Sequence, residues 1–115
     1  MRHLPLLCWL SVAACGTSLG VEVPEPALAG LDPEVSLAVE SARGAVLAAP
    51  EDLAARVEYA SVLDANGLDA PAEEAWRQVS ELDPRQAQAW YHLARVRERR
   101  GATGAALEAL ARARE

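Results

Sequence analysis

The sequence contains no isoleucine, no phenylalanine and no lysine, and each absence narrows what the chain can be. The lack of isoleucine, a strong strand former, argues against a β-sheet. Without lysine there is no glycine-rich loop that presents a lysine to a bound phosphate. Aromatic residues make up only 4% of the 115 residues, and alanine supplies much of the 51% hydrophobic fraction. This composition favours one small all-α domain of closely packed helices.

Charge is distributed unevenly along the chain, whose formal net charge is −6. Residues 20–84 carry 14 acidic residues and three arginines, whereas residues 85–115 carry seven arginines and three acidic residues. The arginine-rich part is short and interrupted by acidic residues, which does not suit a nucleic-acid-binding protein. We therefore expect no nucleic-acid partner.

Residue types that carry catalysis or bind metals are scarce beyond residue 15. His92 is the one histidine there, and no second histidine or cysteine stands near it in sequence to share a metal. Glu73 and Glu74 are neighbours on a predicted helix, so their carboxylates do not face each other. We expect no catalytic residue, no metal site and no cofactor, and therefore no enzyme.

The N-terminal residues have the order of an export signal. Residues 1–3 are positively charged, and residues 4–14 form an apolar stretch that is shorter than the roughly 20 residues that cross a bilayer. The sequence Val12-Ala13-Ala14-Cys15 resembles the bacterial lipobox, in which the cysteine is acylated and becomes the N-terminus of a lipoprotein. The resemblance implies a signal peptide over residues 1–14 and a fatty acid such as palmitate on Cys15.

In that family, the residue after the cysteine directs the protein to one membrane. Gly16 at this position implies the periplasmic face of the bacterial outer membrane. An ordinary secretory signal is the alternative, and it predicts a soluble periplasmic or secreted protein. In the lipoprotein interpretation Cys8 leaves with the signal, so no free thiol remains in an oxidising compartment.

Residues 15–31 are predicted to be a flexible tether. Pro24 and Pro26 stand two positions apart, and Gly16 and Gly20 precede them, so no regular helix is expected here. Such a segment would hold the folded part of the chain away from the membrane.

Apolar residues spaced three and four positions apart predict five helices in the folded part, residues 32–115. Asp32 can cap the first helix, Pro33 is tolerated in its first turn, and Gly67 suits the end of the second. The expected helices cover residues 32–49, 50–66, 69–82, 85–100 and 103–115.

Two stretches of this part repeat with a period of 34 residues, marked by Pro50 and Pro84. The shared positions are Tyr59, Ala60, Leu63, Gly67, Ala72, Trp76, Val79 and Pro84 in the first stretch, and Trp90, Leu93, Ala94, Gly101, Ala106, Leu110 and Ala113 in the second. This pattern resembles the tetratricopeptide (TPR) family over residues 33–115. The resemblance implies a short array of antiparallel helices with about two and a half repeats.

Two residues depart from the family pattern. Arg56 stands where the first repeat should have a large aromatic residue, and Arg97 stands where the second usually has an apolar one. Because stacked repeats bury their faces against neighbours, an array this short is expected to be marginally stable alone.

In TPR arrays the first helix of each repeat lines a concave groove. The resemblance implies that a partner binds at Val57, Ser61, Asp64, Gln88, Tyr91, Arg95, Glu98 and Arg99. An aromatic ring beside two guanidinium groups suits a carboxylate or an acidic peptide. The alternative is that the arginines only balance acidic residues of the same chain.

These observations predict a membrane-anchored lipoprotein that acts as an adaptor. It resembles small bacterial TPR lipoproteins that help to assemble pili, secretion machinery or the outer membrane. Its partner is expected to be a protein or peptide, and its second contact is the lipid bilayer through Cys15. A structural subunit is the alternative, in which the last helix, with Leu107 and Leu110, forms a homo-oligomer or docks permanently.

Overall fold

The computed structural model describes residues 22–115, and five α-helices account for most of them. No strand occurs within that range. The expected all-α class with about five helices is confirmed, and every helix lies within three residues of its expected bounds. The helices are α1 (Pro33–Ala48), α2 (Leu53–Ala65), α3 (Asp69–Leu82), α4 (Ala87–Arg99) and α5 (Thr103–Ala113).

The predicted signal peptide and the predicted acylation site at Cys15 lie outside the described residues. Between residues 22 and 115, no helix combines the length and the apolar character needed to cross a bilayer.

Local sequence explains where the helices begin and end. Oδ1 of Asp32 accepts a hydrogen bond from the backbone N–H of Glu34 at 2.8 Å, and Oδ1 of Asp52 accepts one from that of Ala54 at 3.0 Å. Each bond satisfies an N–H that has no partner inside its helix. Gly67 follows α2 with φ +70°, a left-handed conformation in which glycine ends helices with little strain.

The 34-residue period is present in the helices themselves. The starts of α2 and α4 are 34 residues apart, and so are the starts of α3 and α5. Asp69 at the start of α3 contacts Arg99 at the end of α4, whereas Trp76 further along α3 stacks on His92 earlier in α4. Contacts that run in opposite directions along two helices mean that α3 and α4 are antiparallel. The contacts between α2 and α3 run in the same manner.

The core follows the row of helices. Leu63 and Leu93 hold the same repeat position, and both are completely buried. Small residues lie where the helices approach each other, and Ala60, Ala72 and Ala89 are also fully buried. Burying one leucine contributes about 2 kcal/mol, whereas a larger side chain at Ala72 would force the helices apart.

The two departures from the repeat pattern are accommodated by hydrogen bonds. Arg56 is only 4% exposed, and it donates from Nε to the carbonyl of Pro50 at 2.7 Å and from Nη1 to Oε1 of Gln78 at 2.5 Å. Arg97 donates from Nε to Oε1 of Glu73 and from Nη1 to the carbonyl of Ala105, both at 3.2 Å. Both guanidinium groups therefore lie between helices and connect them.

The prediction of a free tether over residues 15–31 is wrong for residues 22–28, which we call the docked segment. Nε2 of Gln78 in α3 donates to the carbonyl of Glu22 at 2.6 Å, and the hydroxyl of Tyr59 in α2 donates to the carbonyl of Pro24. Val23 and Leu28 are half-buried against the core. The prolines exclude a helix here, but an extended chain can still pack against helices and take hydrogen bonds from them.

Candidate functional site

The predicted groove residues lie on the first helices of the two repeats, α2 and α4. On α2, Val57 packs against the core, and Ser61 and Asp64 are half-buried one turn apart. On α4, four of the predicted residues are exposed on one side of the helix at three- and four-residue steps. These four are Gln88, Tyr91, Arg95 and Glu98, and we call them the α4 face.

Asp64 is the centre of a polar cluster that connects three helices. Its Oδ2 accepts a hydrogen bond from Nε1 of Trp76 at 3.0 Å, and its Oδ1 accepts one from Nη2 of Arg99 at 2.5 Å. The side chain of Asp64 is 16% exposed, so both interactions are partly shielded from water. A hydrogen bond to a charged group in this setting contributes about 1.5–3 kcal/mol. Asp64 therefore holds α2 against α3 and α4.

Arg99 is bound by two carboxylates of its own chain. In addition to Asp64, it contacts Oδ1 of Asp69 from Nε at 3.1 Å and from Nη2 at 2.9 Å. The hydrogen bond from Asp69 is the main reason why the pKa of Arg99 is raised above its usual value, with Asp64 adding to it. An acidic ligand at Arg99 would have to displace two aspartates. This geometry favours a structural role for the predicted groove residue Arg99.

His92 belongs to the same cluster through its ring. It stacks on Trp76 with a centroid distance of 4.6 Å and an interplanar angle of 10°, and its Nδ1 lies 3.7 Å from Oδ2 of Asp64. The ring of Tyr91 meets it edge-on, with the centroids 5.8 Å apart. His92 thus carries the exposed Tyr91 on one side and the buried Trp76 on the other.

Two further arginines of the C-terminal half also pair within the chain. Arg97 and Arg100 both contact the carboxylate of Glu73 on α3. Because Glu73 is also on the α3 surface that faces α4, these pairs extend the contact already made by Arg99. The alternative interpretation, in which arginines balance acidic residues of the same chain, is confirmed for Arg97, Arg99 and Arg100.

Arg95 differs from these arginines because it forms no ion pair within residues 22–115. Its guanidinium carbon lies 6.0 Å from the ring centroid of Tyr91, and Tyr91 is 47% exposed. A cation at this distance from an aromatic ring is weakly attracted to it. The α4 face therefore presents one positive charge and one aromatic ring to the surroundings.

The structure brings together some of the predicted residues and separates others. Asp64 and Arg99 are in direct contact, and Tyr91 and Arg95 are neighbours on α4. Sequence reasoning missed Asp69 and Trp76, because their partners stand 30 and 12 residues away and no local pattern marks them. Between residues 22 and 115, no group of three or more histidine, cysteine or acidic side chains is arranged to hold a metal ion.

Comparison with protein-family models gives no match to this chain, and no curated protein matches it either.

Proposed function

We propose that this protein is a membrane-anchored adaptor whose TPR-like helices bind an acidic segment of a partner protein through the α4 face. The observation that supports this proposal is the contrast among the arginines of α4. Arg97 and Arg99 are bound by carboxylates of the chain, whereas Arg95 stays exposed beside Tyr91. A guanidinium group next to an exposed aromatic ring is a frequent anchor for acidic partners.

The lipobox-like sequence Val12-Ala13-Ala14-Cys15 supports the anchor. A lipid on Cys15 would confine the adaptor to the membrane surface, which raises its effective concentration for a membrane complex without any new contact. Modest affinity at the α4 face would then suffice. The natural partners of such a protein are components of an envelope complex at the bacterial outer membrane.

The anchor is tested by incorporation of radiolabelled palmitate into the wild type and Cys15→Ser, followed by membrane fractionation. We expect label on the wild type in the membrane fraction and none on the variant. Unlabelled wild-type protein in the soluble fraction would replace the anchored adaptor by a soluble periplasmic or secreted one.

The α4 face is tested with a photo-reactive amino acid at Gln88, which is exposed on the same side of α4. Cross-linked adducts in intact membranes should fall about tenfold in the Arg95→Glu variant, because charge reversal repels an acidic partner. Arg85→Glu is the matched control, since Arg85 is exposed but stands before α4. Equal loss in both variants, or loss in neither, would reject the α4 face.

A structural subunit is the second candidate, and one observation favours it. Leu107 on α5 is 62% exposed, a large apolar side chain on the last helix of the row. In this candidate copies associate through α5, so sedimentation should show a size that grows with protein concentration. Leu107→Asp should then return the protein to a monomer. A wild type that stays monomeric while cross-linking at Gln88 supports the adaptor instead.

A further inference from the structure

The docked segment is held in a cleft that is separate from the α4 face. The cleft is lined by four side chains from three helices: Arg43 of α1, Arg56 and Tyr59 of α2, and Gln78 of α3. Tyr59 and Gln78 donate to main-chain carbonyls, those of Pro24 and Glu22. Donors aimed at main-chain carbonyls recognise an extended chain whatever its side chains, as peptide-binding sites do.

The side chains of the docked segment add a pattern to this main-chain recognition. Pro26 is buried, and Val23 and Leu28 are half-buried against the core. The prolines limit the backbone to extended conformations, which reduces the entropy lost on docking. Glu25 lies 3.8 Å from Nη2 of Arg43, but it is 78% exposed, so this pair is weak. The cleft thus accepts apolar residues and proline and places an acidic residue near an arginine.

The cleft also holds hydrogen-bond donors that the docked segment leaves unused. Nη2 of Arg56 and Nε of Arg43 are buried and have no hydrogen-bond partner within residues 22–115. Arg56 is 4% exposed, and burial lowers its pKa because no carboxylate of the described chain pairs with it. It contacts Gln78, the same side chain that holds the segment. Buried donors without partners are costly, and a carboxylate would satisfy them better than the present occupant does.

We propose that this cleft is a second binding site, which takes an extended, acidic, proline-containing peptide of a partner protein, and that residues 22–28 fill it when the partner is absent. The proposal does not depend on the lipid anchor or on the α4 face. Gly30, with φ +83°, and the turn from Leu31 back to Leu28 form the exit of the segment before α1. Rotation at this turn would release the segment without unfolding the helices.

An occupant attached to the same chain competes strongly, because its effective concentration is in the millimolar range for a short connection. A free peptide should therefore bind the wild type weakly and bind tightly only when the segment is loosened. The probe is a fluorescent peptide with the sequence of residues 22–28. The full chain is compared with Val23→Asp/Leu28→Asp, which places charges at the two half-buried apolar contacts of the segment.

We expect the peptide to bind this double variant at least tenfold more tightly than the wild type. Adding Gln78→Ala to the double variant should weaken binding about tenfold, because the donor to the peptide carbonyl is lost. A probe with glutamine in place of Glu22 and Glu25 should bind at least threefold more weakly. This last comparison separates a preference for acidic peptides from general binding of extended chains.

Three outcomes would overturn the proposal. The first is a folded double variant that does not bind the peptide at millimolar concentration, and the second is binding that Gln78→Ala leaves unchanged. The third is a concentration-dependent dimer of the double variant that excludes the peptide, which would assign the cleft to a second copy of the chain. If the double variant does not fold, Pro24→Gly loosens the segment through backbone entropy alone and is judged by the same criteria.

Discussion

Arg56 of α2 and Trp90 of α4 stand 34 residues apart and make the same hydrogen bond. Nε of Arg56 donates to the carbonyl of Pro50 at 2.7 Å, and Nε1 of Trp90 donates to the carbonyl of Pro84 at 2.9 Å. The two prolines mark the period of the sequence. Two chemically different side chains thus fix the loop before the first helix of each repeat. The repeat position calls for a long side chain with an N–H at its end.

Replacing Arg56 by alanine should destabilise the protein by about 3 kcal/mol. The change leaves a cavity, and it removes the donor to both the carbonyl of Pro50 and Oε1 of Gln78. The measurement is urea unfolding followed by circular dichroism. Arg95→Ala is the control, because an exposed arginine without an ion pair in the described chain should change stability by less than about 0.5 kcal/mol. Equal effects of the two substitutions would contradict the buried role of Arg56.

Replacing Asp64 by alanine should cost about 2 kcal/mol, because Nε1 of Trp76 and the guanidinium of Arg99 lose a shared acceptor. In a double-mutant cycle with Arg99→Gln, we expect a coupling free energy of about 1 kcal/mol between the two residues. Since Arg99 is partly exposed, the coupling should fall at high salt. A coupling near zero at low salt would show that the cluster does not hold the helices together.

Stability should fall in acid, in part through Glu74. The hydrogen bond from Arg77 lowers the pKa of Glu74 below its usual value of 4.5. A carboxyl with a lowered folded-state pKa stabilises the protein above its unfolded-state pKa, and this contribution is lost as pH falls through the folded-state value. Urea unfolding at pH 7 and pH 3 should therefore differ less in Glu74→Gln than in the wild type. An unchanged pH dependence in this variant would contradict the assignment.

The docked segment should be released at high pH. Burial raises the pKa of Tyr59 above its usual value of 10.0, because the neutral hydroxyl is favoured where it donates to the carbonyl of Pro24. A raised pKa of this kind stabilises docking below pH 10.0, and the contribution is lost as pH rises through the folded-state value. The variant Tyr91→Phe leaves Tyr59 as the one tyrosine, so its ionisation is measured by absorbance at 295 nm.

The same titration contains its own control. In Tyr91→Phe carrying also Val23→Asp and Leu28→Asp, the segment is loosened and Tyr59 should ionise at lower pH than in Tyr91→Phe alone. Identical titration curves would mean that the segment does not cover the hydroxyl.

The fold could be predicted from sequence because its signals are local. Asp32, Pro33 and Gly67 act within one helical turn, and the 34-residue period places equivalent helices without any knowledge of their contacts. The expected bounds of α4, residues 85–100, were slightly too wide. Arg85 and Gln86 precede the helix, and the side chain of Asp83 accepts from the N–H of Arg85 in a turn.

The details of the candidate site were less predictable, because they depend on pairs that are distant in sequence. Spacing on a helix shows that Arg95 and Arg99 share a side, but not that Asp64 and Asp69 meet only Arg99. The docked segment has no helical period, and its hydrogen bonds involve main-chain carbonyls, which every sequence has. Its contact with Gln78 spans 56 residues.

The docked segment also limits how far the helices can stand from a membrane. With Glu22 fixed to α3, seven peptide units separate it from Cys15, and a fully extended chain of that length reaches about 25 Å. Had residues 22–31 been free, the reach to α1 would have been more than twice as long. For a lipid-anchored adaptor, docking and release of the segment would therefore set two heights above the bilayer, and a distant partner would be reachable only from the higher one.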